Sequence, residues 1–208
     1  MEHKNSQIAE ELKGWIDKKR MRHSIGVSRA AARLAVFYGV DAEKAELAGL
    51  LHDCAKCLSH EEMLRLCEEF GISLDPLSMG DRALLHGPLG SAIARKYFGI
   101  EDKIILDAIY CHTTGKKGMN LFEKVLCLAD YIEPGRRFPG VEEIRSLAYS
   151  DLNRALLKGF ELTIRHVLDT GNKLHIGTVE ARNELIEEIS ETRKGKKKTE
   201  NEAAGSML

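Results

Sequence analysis

Four histidines and two aspartates stand where the surrounding pattern asks for apolar residues. His23 leads Val27, Ala30 and Leu34 on one stripe at helical spacing. His52 and Asp53 interrupt the most apolar segment of the chain, directly after Gly49-Leu50-Leu51. His86 precedes Gly87-Pro88, His112 ends the stripe Ile105, Ile109, and Asp130 sits among Leu126, Ala129 and Ile132. A buried carboxylate without a partner costs several kcal/mol. The apolar runs around Asp53 and Asp130 supply no Lys or Arg at the needed positions except Lys56. A metal ion meets that need, and imidazole nitrogen with carboxylate oxygen suits Fe, Mn, Co, Ni or Zn. His3, His60 and His166 lie in polar surroundings and are assigned surface or structural roles.

The elements that must position these groups read at helical period almost throughout. Gly39 is a natural stop for a helix carrying the His23 stripe. Asp41 caps a buried helix that runs into His52-Asp53, and Ser59 caps HEEMLRLCEEF. Gly87-Pro88 reads as the opening of GPLGSAIARKYF, which puts His86 just before a helix start. Asp102 caps KIILDAIYCH, and Asn120 with Glu123 forms a capping-box pattern for LFEKVLCLADYI, ended by Pro134-Gly135. Longer patterns follow from Asp151 to Asp169 and from about Thr178 to Thr192. The alternation of a β-strand is absent, so the expected fold is all-α, a bundle of eight or nine helices over residues 1–192. Residues 193–208, charged and then small and polar, read as a disordered tail.

Composition narrows the function classes. The 208 residues carry 31 Lys+Arg against 32 Asp+Glu, a formal net charge of -1. That balance gives the whole protein no pull toward nucleic acid or an anionic membrane. No run approaches a membrane span, and the polar N-terminus lacks the apolar core of a secretory signal. The five cysteines are odd in number, and Cys54-x-x-Cys57 has no second pair to complete a four-thiolate zinc site. Reduced, mostly buried thiols and a cytoplasmic location are expected.

The order His23, His52-Asp53, His86, His112, Asp130 resembles the HD-domain metal-dependent phosphohydrolases, whose signature is an adjacent His-Asp pair such as that in AGLLHDCAK. Within that superfamily RMRHSIGV, LLHGPLGSAIA, AIYCHTTG, KVLCLADYIEPGR and NKLHIGTVEARN are similar to the YqeK-like bacterial branch, over about residues 12 to 190. The resemblance implies symmetrical hydrolysis of diadenosine tetraphosphate to two ADP. It makes His23, His52, Asp53 and Asp130 the ligands of one divalent transition metal. Iron is the expected metal, with manganese, cobalt or nickel as alternatives. It places His86 and His112 beside that metal, facing phosphate or a second metal.

Further expectations follow from position. Asp53 doubles as ligand and proton acceptor, and His86 and His112, if protonated, stabilise charge or donate a proton to the bridge oxygen. Lys56 lies one turn after Asp53 and reaches the same side. Arg20, one turn before His23, and Arg136 and Arg137, across the turn from Asp130, read as phosphate contacts. Tyr131 is placed to stack on a purine or ribose, and Lys173 and His175 lie on a loop that could close over the nucleotide. A nucleotide substrate, no membrane or nucleic-acid partner, and a monomer or homodimer complete the expectation. The rivals are another HD-type nucleotide phosphohydrolase or phosphodiesterase, and a non-catalytic nucleotide sensor.

Overall fold

The structure, a computed structural model, describes residues 2–205, with side chains from 6 to 194. Its elements in chain order are α1 (Glu2–Leu12), α2 (Lys18–Tyr38), α3 (Ala42–Leu51), α4 (His60–Glu69), α5 (Pro76–Gly80), α6 (Arg82–Phe98), α7 (Lys103–Cys111), α8 (Leu121–Ile132), α9 (Val141–Leu147), α10 (Leu152–Asp169) and α11 (Ile176–Gly205). The protein is all-α, as expected, with eleven helices among the described residues. The short α5 and α9 account for the excess over the expected number. None of the helices is long and apolar enough to cross a membrane among the described residues.

Most ends fall where cap chemistry places them. Asp41, Asp102 and Asp151 each accept a backbone N–H of the first turn. Ser59 and Asn120 form reciprocal capping boxes with Glu62 and Glu123. Gly39 closes α2 in the left-handed region at φ 72°. One boundary is corrected. α6 begins at Arg82, capped by Asp81, and runs straight through Pro88, so His86 lies inside the helix and not ahead of it. The hydrogen bond from position 88 is forgone, but Leu85 and Leu89 are fully buried on the same helix. Gly87 explains the local sequence: a Cβ there would stand 2.8 Å from the Tyr110 carbonyl oxygen. The Gly-Pro pair thus marks a close crossing of α6 over the last turn of α7, which brings His86 beside His112.

The core packs α2 along α3 and α8, α6 on α7, α7 on α8, and α10 on α8, α9 and α11. The α2–α3 crossing is close enough that a Cβ on Gly49 would lie 2.7 Å from Ser28 Cα. His23 and His52 are brought together by that approach. α11 continues to Gly205 through most of the stretch read as a disordered tail; its Lys, Glu and Ala are strong helix formers. Residues 206–208 of that stretch lie outside the described residues.

Candidate metal centre

The six residues singled out from sequence converge. His23 comes from the first half of α2, His52 caps the C-terminus of α3 with Asp53 next in the turn, His86 comes from α6, His112 caps α7, and Asp130 comes from the last turn of α8. His23 Nε2 lies 3.2 Å from His52 Nε2, 3.0 Å from Asp130 Oδ1 and 3.5 Å from Asp53 Oδ2. His52 Nε2 lies 3.4 Å from Asp53 Oδ2 and 3.8 Å from Asp130 Oδ1. Bonds of about 2.0–2.2 Å to a shared ion place adjacent donors roughly 3–3.5 Å apart. His23, His52 and Asp130 form one donor triad able to hold an ion, and His52, Asp53 and His112 form a second that shares His52.

The ring nitrogens are prepared for such a role. His52 Nδ1 donates to the Gly49 carbonyl and His112 Nδ1 to the Ile109 carbonyl, both at 2.7 Å. A carbonyl only accepts, so each ring carries its proton on Nδ1 and turns the Nε2 lone pair inward. His23 Nδ1 is held instead by Glu133 Oε1 at 3.1 Å. Glu133 is buried, and its other oxygen accepts from the Gly135 N–H at 2.6 Å. Gly26 leaves room for it, since a Cβ there would fall 2.5 Å from Glu133 Oε2. Glu133→Ala is expected to weaken metal binding by about 10–100-fold while leaving the fold intact. Titration of the metal-free protein followed by a thermal scan checks it; unchanged affinity removes Glu133 from the site.

Asp53 faces both ways. Its Oδ2 meets His23 and His52, while its Oδ1 lies 3.1 Å from His86 Nε2 and 3.7 Å from His112 Nε2. The two imidazoles stand 3.2 Å apart, and the Thr113 hydroxyl is 3.0 Å from His86 Nε2. Lys56 Nζ is 3.2 Å from His86 Nδ1. Burial raises the Asp53 carboxyl, but His52, His112 and His86 outweigh it and hold it well below the usual carboxylate range. Burial also raises Asp130, and Arg136, His23 and His52 likewise outweigh it. Burial, with Lys56 and His112 adding to it against Asp53, pushes His86 down to about 4. Burial lowers the ammonium of Lys56 as well.

A second expectation is corrected. Side-chain cations do reach both aspartates: Arg20 Nη1 lies 2.6 Å from Asp53 Oδ2, and Arg136 pairs with Asp130 through Nη2. Arg20 is 33 residues from Asp53, and its length, not its position in the sequence, makes the pair. The other predicted contacts divide. Lys56 and Tyr131 line a cleft of about 710 Å³ with Asp53, His86, His112, Asp130, Arg20 and Arg136. Tyr131 bonds the Thr163 hydroxyl at 2.7 Å and presses its ring on Gly159, so one face is already taken. Arg137 is exposed and bonds the Pro134 carbonyl. Lys173 is exposed, and His175 turns toward Asp75 and the Gly177 N–H; neither lines that cleft. His60, by contrast, takes a structural role on the Met79 carbonyl. Thr113 and Arg165 line the cleft without having been singled out, and His166, assigned a surface or structural role from sequence, lines it as well. Arg165 and His166 share the polar side of α10, where periodicity carries no sign of a facing wall.

An all-helical bundle with a buried His/Asp donor cluster at the foot of a cationic cleft defines a hydrolase of the metal-dependent helical type. The HD domain model matches residues 20–135, the span that holds all six residues, and the chain belongs to the HD domain family. It is 43% identical over 175 residues to a protein of Halalkalibacterium halodurans named symmetrical bis(5'-nucleosyl)-tetraphosphatase, spanning 84% of this chain and 93% of that one. A Bacillus subtilis protein of the same name is 41% identical over 153 residues, spanning 74% and 82%. A crystal structure from Clostridium acetobutylicum, described as a predicted HD superfamily hydrolase involved in NAD metabolism, superposes with a TM-score of 0.85 at 47% identity. It covers 88% of this chain and 97% of that one.

Proposed function

We propose that this protein hydrolyses dinucleoside polyphosphates symmetrically, cleaving diadenosine tetraphosphate to two ADP. The observation that carries the reading is the set of three cations, Arg20, Lys56 and Arg136, lining one cleft with the His/Asp donor cluster. Its relatives named as symmetrical tetraphosphatases support it. His23, His52, Asp53 and Asp130 would hold the metal, and iron is the ion we assign, the donor set being equally at home with manganese, cobalt or nickel. When bound, such an ion lowers the pKa of water and offsets phosphate charge.

The chain's own residues do the rest. Arg20 and Arg136 already lie within hydrogen-bonding reach of the donor carboxylates. A tetraphosphate in the cleft brings them anionic oxygens to bind bidentately. Lys56 stands beside His86 and supplies positive charge for the leaving diphosphate. The Thr113 hydroxyl, 3.1 Å from His112 Nε2, adds a donor on the same wall. Water adds across the central P–O–P bridge: its oxygen ends on one ADP, and its two protons are shared between the bridge oxygen of the other ADP and solvent. The cytoplasm is the location we assign, in keeping with five free cysteines, four of them buried.

Chromatography of products from a panel of dinucleoside polyphosphates, with added Fe, Mn, Co or Mg, tests the reading. Diadenosine tetraphosphate is expected to yield ADP alone. Equal amounts of ATP and AMP would mean asymmetric attack and overturn it. A second reading, a phosphodiesterase with two metals, draws on the way Asp53 presents one oxygen to each histidine pair.

A further inference from the structure

The 710 Å³ cleft is one of two that meet at the donor cluster. The other, about 930 Å³, lies between the exposed face of α2 and the turn that follows α8. Arg20, Arg136 and Phe138 line both. His23 opens onto the larger cleft, and Asp53 and Asp130 onto the smaller. The donor cluster therefore sits at their junction, and both volumes fall within the ~300–1,000 Å³ range of small-molecule sites.

The larger cleft is strongly cationic. Lys19, Arg22, Gly26, Arg29 and Arg33 follow one another at three- and four-residue steps, so they share one face of α2. Among the described residues Lys19, Arg22, Arg29 and Arg33 form no ion pair. Arg136 and Arg137 face them from the opposite wall. The one carboxylate in the lining is Glu133, whose two oxygens are already held by His23 and the Gly135 N–H. Ile25 and Phe138 add apolar surface. Unpaired guanidinium groups along one wall of a cleft are suited to bind phosphate oxygens, and apolar patches beside them suit a base or ribose.

A substrate cut at its centre leaves equal halves on the two sides of the reacting phosphorus. We infer that the α2 cleft is the binding site for the second nucleoside diphosphate half, with Arg22 and Arg29 as its phosphate contacts. The first half occupies the smaller cleft. This rests on the substrate reading above. It also gives the symmetry of cleavage a structural origin: two clefts of similar capacity flank one donor cluster, so the middle bridge is the bridge placed over it.

The test is calorimetric titration of the metal-loaded, full-length protein with ADP, beside steady-state kinetics on diadenosine tetraphosphate. The parent protein is expected to bind two ADP per chain. Arg22→Glu combined with Arg29→Glu is expected to bind one, with the remaining site unchanged in affinity. In that double variant KM for diadenosine tetraphosphate rises at least about tenfold, with a much smaller change in kcat. Arg29→Lys restores part of the loss, and far-ultraviolet circular dichroism confirms that the exposed substitutions leave the fold intact.

One ADP per chain in the parent, or loss of both sites in the double variant, overturns the inference. So does an unchanged KM. The two readings fail separately. A parent protein that releases no ADP from diadenosine tetraphosphate defeats the substrate reading. One that releases ADP but is indifferent to Arg22 and Arg29 defeats this inference alone.

Discussion

Asp53→Ala is expected to strip the protein of its metal and its turnover together. The side chain stands between His23 and His52 on one oxygen and His86 and His112 on the other, and it also receives Arg20. Its removal leaves four imidazoles and a guanidinium around a space with Asp130 as the remaining carboxylate. Metal content should drop from about one ion per chain to a small fraction of that, and kcat/KM by at least roughly 10³-fold. Adding metal should raise the melting temperature of the parent protein but not of the variant, because stabilisation by a ligand requires that it bind the folded state. Full occupancy in the purified variant would end the assignment of Asp53 as a ligand.

The second large effect separates the two histidine pairs. His86→Ala and His112→Ala should each lower turnover by roughly 10²–10⁴-fold while keeping most of the metal held by the other four residues. The ground is geometry: both Nε2 atoms face the Asp53 Oδ1, away from the oxygen that meets His23 and His52. Metal content per chain decides between two roles. One ion throughout, with activity lost, supports a phosphate-facing pair, whereas a fall from two ions to one in either variant makes them ligands of a second metal.

The site residues other than His86 were legible because they lie on or at the end of an apolar stretch, and burying a polar group asks for a reason. The all-α class was legible for the same cause, since the stripes recur at helical period. What escaped notice depends on contacts that periodicity does not encode. Pro88 reads as a helix opening by local rule, yet packing of Leu85, Gly87 and Leu89 carries α6 through it. Arg20 and Arg136 look like free phosphate contacts until their reach to Asp53 and Asp130 is seen. α5 and α9, five and seven residues long, are too short to show a period. Glu133 precedes Pro134 and reads as a polar helix end, with nothing local to say that it is buried against His23.

The anchors of the three inward-facing rings differ in how they can be inherited. His52 and His112 hang from backbone carbonyls three residues earlier, and every amino acid presents a carbonyl, so a point mutation at Gly49 or Ile109 does not delete the acceptor, although at Gly49 the close approach of Ser28 forbids a side chain. His23 hangs from a side chain. Among these three, position 133 is accordingly where a single codon change alters the anchoring atom, and with it the basicity of the imidazole. A lineage adapting this centre to a scarcer or more abundant metal has that position as its dial, at the exit of α8 and on the lining of the larger cleft.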